Sequence, residues 1–222
     1  MLLVYAFVFS AVFAVRWPNA TESFGDFALR LFAGLIPFQF FAEVVNRAPS
    51  LVLENATYVK KVVFPLQTLV PTAIVSALFS AGCSYAILAA GYFLVEGLPP
   101  LSMLWLPVLW LPLILLTAGI GWALASLGVF LRDLRQLVTI VTSLLIFLTP
   151  VFYPLAMVPE AYRPLVLANP LSYLIESMRT ALFQGQGPAL LPLALSLLAG
   201  LAVAQVGYWG FMRTRKAFAD VM

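Results

Sequence analysis

Six long apolar runs occupy most of this 222-residue chain. A helix needs about 20 apolar residues to cross the ~30 Å hydrocarbon core of a bilayer. Several runs of that length in one chain predict an all-α, polytopic bundle, because in lipid each backbone polar group must be satisfied inside its own segment. Only 9% of the residues are charged while 63% are hydrophobic, against about 25% charged in soluble domains. Too few polar side chains are available to clothe a globule in water.

The runs fall at 1–15, 27–46, 66–95, 101–131, 137–155 and 189–211, within one transmembrane domain over 1–222. Pro65 and Pro71 trim the front of the third, and Pro107 and Pro112 are expected to kink the fourth. The first run is short and begins at full hydrophobicity, as the latter part of a span would. It is not a signal peptide by pattern, since no basic residue precedes it and Arg16 follows it.

Basic residues set the expected orientation. Loops 47–62 and 132–136 and the tail 212–222 hold Arg47, Lys60, Lys61, Arg132, Arg135, Arg213, Arg215 and Lys216. The opposite side holds Arg16, Arg163 and Arg179. Positive charge favours the cytoplasm, so both termini are expected there and segment 156–188 outside. The net charge of +3 and the pI near 9.2 speak to topology and anionic lipid, not to nucleic acid.

Some chemistry is excluded at once. Histidine is absent and Cys83 is the only cysteine, which removes disulfides, His/Cys metal sites and Ser–His or Cys–His nucleophiles. Cys83 reads as a small buried packing residue. The only lysines are Lys60, Lys61 and Lys216, and no glycine-rich phosphate loop precedes any of them. If ATP is used, another polypeptide binds it.

The polar features are few. Residues 50–65, SLVLENATYVKKVVFP, have the pattern of an amphipathic helix. Ser50 can cap its start, Glu54, Tyr58 and Lys61 share one face, and Val52, Ala56, Val59 and Val63 share another. The pattern fits a surface helix that transmits force from a partner; it fits equally an interfacial helix anchored by Lys60 and Lys61 to headgroups, which is simpler. Arg132, Asp133 and Arg135 in GVFLRDLRQLV either dock a partner or mark the membrane boundary. Thr139, Thr142, Thr149 and Tyr153 lie near one face of the fifth run. That stripe faces the bundle or a wet path, or each hydroxyl bonds back to its own helix.

Residues 150–183 carry the i, i+3 pairs Glu160/Arg163 and Glu176/Arg179 among five prolines. This stretch reads as short helices half-sunk in the outer leaflet, forming either a gate or a surface cap. The densest aromatic cluster is PFQFF at 37–41, whose rings suit lipid packing or the stacking of sugars. Thr117, Gly121 and Ala125 give the fourth run a small-residue face that permits close helix approach.

Three stretches together, FAGLIPFQFFAEVVNR with ENATYVKKVVFPLQTLVP, then GVFLRDLRQLV, then TPVFYPLAMVPEAYRPLVLANPLSYLIESMR, resemble the membrane subunit of type-2 ABC exporters. The match is to the polysaccharide and polyol-phosphate export permeases (O-antigen, capsule and teichoic acid exporters), and the closing RKAFADVM is similar too. The resemblance departs at the front, where such permeases carry an amphipathic helix and a complete first span.

The resemblance implies a coupling helix over 50–63, with Ser50, Glu54, Asn55, Tyr58, Lys60 and Lys61 seated on an ATPase subunit. Arg132, Asp133 and Arg135 would make a second cytoplasmic contact. Phe38, Phe40, Phe41, Thr149, Phe152, Tyr153, Asn169 and Tyr173 would line the path or its external gate. It further implies two copies of this chain over two ATPase chains that bind ATP and Mg, with no cofactor on this chain. The cargo would be a lipid-linked glycan leaving the bacterial inner membrane on an undecaprenyl diphosphate carrier. An ABC exporter of small lipophilic molecules or lipo-oligosaccharide is the alternative. A stand-alone ion-coupled carrier or membrane enzyme ranks below both, since Glu43 is the one acid well inside a predicted span and it lies near an end.

Overall fold

Apolar runs of this length, with few breakers inside them, become helices because nothing else satisfies their backbone in lipid. The computed structural model describes residues 24–55, 65–131 and 133–218, and every regular element among them is helical. In chain order these are α1 (Phe24–Glu54), α2 (Leu69–Val95), α3 (Leu106–Phe130), α4 (Leu134–Leu148), α5 (Arg163–Ala168), α6 (Pro170–Phe183) and α7 (Leu190–Thr214). Short 3-10 turns precede α2 at Leu66–Thr68 and α3 at Leu101–Trp105. The expected run 1–15 lies outside the described residues.

Among the described residues, four stretches are long and apolar enough to cross a membrane: Phe24–Glu54, Leu66–Val95, Leu101–Phe130 and Leu190–Ala217. The fifth expected span is shorter than its apolar run. Its helix, α4, has 15 residues, or about 22 Å at 1.5 Å per residue, short of the ~30 Å core. Turns take over from Thr149. At the other extreme α1 has 31 residues, about 46 Å by the same rise, so one end outruns the hydrocarbon.

That length overturns one expectation. The second run was expected to stop at Asn46, with a new helix capped by Ser50, yet α1 runs unbroken through Asn46, Pro49 and Ser50 to Glu54. Ser50 does not cap a helix start; its Oγ donates to the Arg47 carbonyl, 3.1 Å away, inside the helix. Pro49 lies where α1 packs directly against α3. A Cβ placed on Gly128 of α3 would strike the Pro49 carbonyl, so the two backbones touch there.

Two smaller expectations also change. Pro107 is the second residue of α3, where its missing N–H would have no intrahelical partner anyway, so it starts the helix; Pro112 alone lies in the interior. Cys83 is exposed rather than buried, on a face of α2 that this chain does not cover.

Helix ends follow sequence logic. α2 and α6 are each followed two residues on by a glycine with positive φ, Gly97 at 86° and Gly185 at 68°, the left-handed position that closes a helix C-terminus. Asn169 caps α6, its side chain accepting from the Leu171 N–H at 3.0 Å, with Pro170 in the first helical position.

The chain divides into two compact units. One draws on Met1–Gln39, Ala81–Leu109 and Leu145–Leu190, the other on Phe40–Ser80, Trp110–Leu144 and Leu191–Met222. The first has its core around Leu31, Ala33, Val151, Ile175 and Met178. The second has its core around Val44, Val52, Val70, Leu113 and Ala125.

Candidate functional site

In the second unit, α1 carries Glu43, Asn46, Arg47, Ser50 and Glu54. The offsets of three, four, seven and eleven residues put all five on one helical face. Arg135 and Thr139, one turn apart on α4, face them, and together the two helices enclose a polar cleft of about 390 Å³. Thr142 braces one of the lining residues. It is buried, and its single O–H lies between two acceptors, Asn46 Oδ1 at 2.9 Å and the Val138 carbonyl at 3.0 Å.

The charges in this cleft are unspent. Ion pairs elsewhere among the described residues join Arg30 to Asp26, Arg163 to Glu160 and Arg179 to Glu176. Neither Arg47 nor Arg135 pairs with Glu43 or Glu54 among the described residues. Two guanidiniums and two carboxylates therefore share one cavity while remaining available.

The sequence singled out Ser50, Glu54 and Arg135, and the structure brings these three to the same cleft. Asn55 is elsewhere, its amide donating to the Leu51 carbonyl of its own helix at 2.8 Å. Asp133 is exposed at the head of α4, where a carboxylate complements the helix dipole. Tyr58, Lys60, Lys61 and Arg132 lie outside the described residues. Glu43, Asn46 and Arg47 were not singled out for this site, although the helical spacing of polar residues over 43–54 carried the signal. Dividing the chain at Asn46 hid it.

Thr142→Val tests this brace. Interhelical hydrogen bonds within membranes contribute about 0.6 kcal/mol each. The expected result is a drop of a degree or two (~1–2 °C) in the thermal midpoint in detergent for a protein of this size. Asn46→Ala should then add little on top of it, since both changes remove the same bond.

The first unit holds a second constellation, built on α6. Arg179 is buried at 3% exposure and spends its whole guanidinium on fixed acceptors. Nε donates to the Arg30 carbonyl at 3.1 Å. Nη1 donates to the Pro150 carbonyl at 3.0 Å and to Glu176 Oε2 at 2.9 Å. Nη2 donates to the Val151 carbonyl at 3.0 Å. Pro150 and Val151 belong to the turn after α4, so the arginine satisfies carbonyls that the broken helix leaves open. Burial pulls its pKa down to about 10, while Glu176 acts in the opposite direction, and it remains a cation at neutral pH.

Gly34 makes room for this fork, since a Cβ there would collide with Arg179 Nη2. Arg30 is tied in as well. It pairs with the buried Asp26 at 2.6 Å, and its guanidinium lies 4.7 Å from the centre of the Phe183 ring.

The expected path and gate residues divide between buried and half-buried. Phe38, Phe40 and Phe41 are each no more than 5% exposed and offer no surface to a path. Phe40 stacks edge-on against Trp110 with centroids 4.9 Å apart. Thr149 and Phe152 are likewise buried. Thr149 accepts from Asn169 Nδ2 at 2.8 Å, so the capping residue of α6 also ties α6 to the end of α4. Tyr153 and Tyr173 are half-buried; their hydroxyls donate to the Phe147 carbonyl at 2.9 Å and the Ala189 carbonyl at 3.3 Å. The threonine stripe resolves in the same way. Thr139 bonds back to Arg135 and Thr149 to Leu145, while Thr142 also reaches Asn46 of α1 and Thr149 the Asn169 cap of α6.

Several helices long and apolar enough to cross a bilayer define a multi-pass membrane protein. Residues 1–183 match the family described as ABC-2 type transporter, and the chain belongs to that family. It is 28% identical over 221 residues to an O-antigen export system permease protein, RfbA, of Klebsiella pneumoniae, covering 99% of this chain and 82% of that one. An RfbA of Myxococcus xanthus is 30% identical over 230 residues, with the same coverage. The polysialic acid transport protein KpsM of Escherichia coli is 27% identical over 195 residues, covering 86% of this chain and 74% of the relative. The family resemblance seen in the motifs is thereby borne out. This is a transport membrane subunit of the inner membrane, not an enzyme, and its family works with an ATPase partner that binds the nucleotide.

Proposed function

We propose that this chain is the permease of an ABC exporter that carries a lipid-linked polysaccharide from the cytoplasm across the inner membrane. Two copies face one another over two ATPase chains, which bind ATP and Mg. The observation that carries this reading is similarity to O-antigen export permeases along 99% of the chain. The excess of basic residues on loops 47–62 and 132–136 and on the tail puts the Glu54 end of α1 and both termini in the cytoplasm. On that orientation α5 and α6 are external, and Arg179 ties α6 to the turn after α4 as part of the gate.

Force reaches the permease through segment 50–63. α1 is one continuous helix up to Glu54, and an ATPase pair that closes on this end can pull on it. A closing motion then biases one of two packed states of the bundle. The test is co-expression with the partner ATPase and single substitutions Glu54→Ala, Tyr58→Ala and Lys61→Ala. At least one should lower ATP-dependent export about tenfold at unchanged abundance, the effect of losing roughly 1.4 kcal/mol of coupling. Full export by all three variants would remove the coupling assignment.

A further inference from the structure

We infer that the cleft between α1 and α4 is a binding site for the head of the cargo, where a diphosphate joins the first sugar. The inference rests on the proposed reading of the cargo as a lipid-linked glycan, and it names the residues that would hold it.

The composition of the cleft selects the ligand. Arg47 and Arg135 present two forked cations without an ion-pair partner among the described residues, one from each wall. Guanidinium forks match phosphate oxygens two at a time. A site for a bare anion would not also be lined by Glu43 and Glu54. Carboxylates accept hydrogen bonds and donate none, so they suit a ligand rich in hydroxyl donors. A plain sugar, in turn, makes no use of two free guanidiniums. A diphosphate with a sugar attached presents anionic oxygens and hydroxyls within the reach of a single site. The cavity of about 390 Å³ falls in the range of small-molecule pockets, roughly 300–1,000 Å³.

Thr142 contributes by holding the Asn46 side chain through its Oδ1, which fixes one wall before the ligand arrives and reduces the ordering that binding costs.

The experiment uses the assembled permease–ATPase complex in lipid nanodiscs. ATP hydrolysis is titrated with farnesyl diphosphate N-acetylglucosamine and, separately, with farnesyl monophosphate N-acetylglucosamine. In the wild type both probes should change the hydrolysis rate, the diphosphate at lower concentration. Arg47→Gln and Arg135→Gln should each raise the half-saturating diphosphate concentration about tenfold, the loss of one charge-assisted contact, and shift the monophosphate less. Glu43→Gln should shift both probes alike.

Three results overturn the inference. In the first, the arginine variants keep wild-type half-saturation for both probes. In the second, they fail to co-purify with the ATPase, which makes the cleft a protein contact. In the third, the wild type answers to neither probe while a lipophilic drug stimulates it; the glycan reading then fails, and the site assignment fails with it. Loss of probe selectivity in Arg47→Gln alone, with the complex intact, separates failure of the site from failure of the cargo.

Discussion

Arg179→Met is expected to cut the amount of folded permease in the membrane severely. Among the described residues the side chain makes four hydrogen bonds, three of them to backbone carbonyls. Methionine fills similar volume and satisfies none of them. Breaking one side of a buried pair costs about 3–5 kcal/mol, and each orphaned buried acceptor about 1–3 kcal/mol. Glu176 keeps 29% of its side chain exposed, so water can take up part of its charge and the total sits nearer the lower end. A native stability of about 5–15 kcal/mol leaves little after such a loss.

The measurements are membrane abundance and the thermal midpoint of the purified complex. Arg179→Lys keeps the charge but lacks the planar fork, so it should recover only part of the loss. Glu176→Gln added to Arg179→Met should cost less than its own single effect, because the partner has already gone. Wild-type abundance and midpoint in Arg179→Met would mean that the turn after α4 holds itself.

Much of the fold was legible because length and hydropathy decide it. The runs at 66–95, 101–131 and 189–211 correspond to helices whose ends differ from the reading by a few residues. What misled was local punctuation inside α1. Pro49 and Ser50 are stop and start signals in water, where a broken helix can bond to solvent. Here the segment packs on Gly128 of α3, and the helix continues through both residues. The same error split the charged face at 43–54 between a span and a loop. The aromatic cluster misled for another reason. Phe38, Phe40 and Phe41 announce ring area, but a period-free run does not say whether the rings turn inward. Arg179 was visible as the partner of Glu176 at i, i+3. Its carbonyl acceptors were not, since Arg30, Pro150 and Val151 are brought to it only by the folded chain.

Gly207→Ala is the companion case, in which one added methyl separates two helices. α3 and α7 touch backbone to backbone. A Cβ on Gly119 would strike the Val203 carbonyl, and a Cβ on Gly207 would strike the Gly119 carbonyl. Neither obstacle is a flexible side chain, so the helices themselves must part. Close approach through small residues is how membrane helices associate where lipid removes the hydrophobic drive, and parting them also weakens contacts beyond the glycines. Ser126 and Thr214 share a hydrogen bond at 2.7 Å, and Trp122 meets the Tyr208 ring edge-on at 5.1 Å. Overpacking alone costs about 1–3 kcal/mol. Gly210 supplies the control, three residues along the same helix with nothing within 4 Å of an added Cβ. There alanine should be neutral or stabilising by up to about 1 kcal/mol, its helix-propensity advantage over glycine. The pair of variants therefore separates packing from propensity with one chemical change. Thermal midpoints should fall for Gly207→Ala and hold or rise for Gly210→Ala. Equal midpoints for the two would mean that α3 and α7 are not in backbone contact.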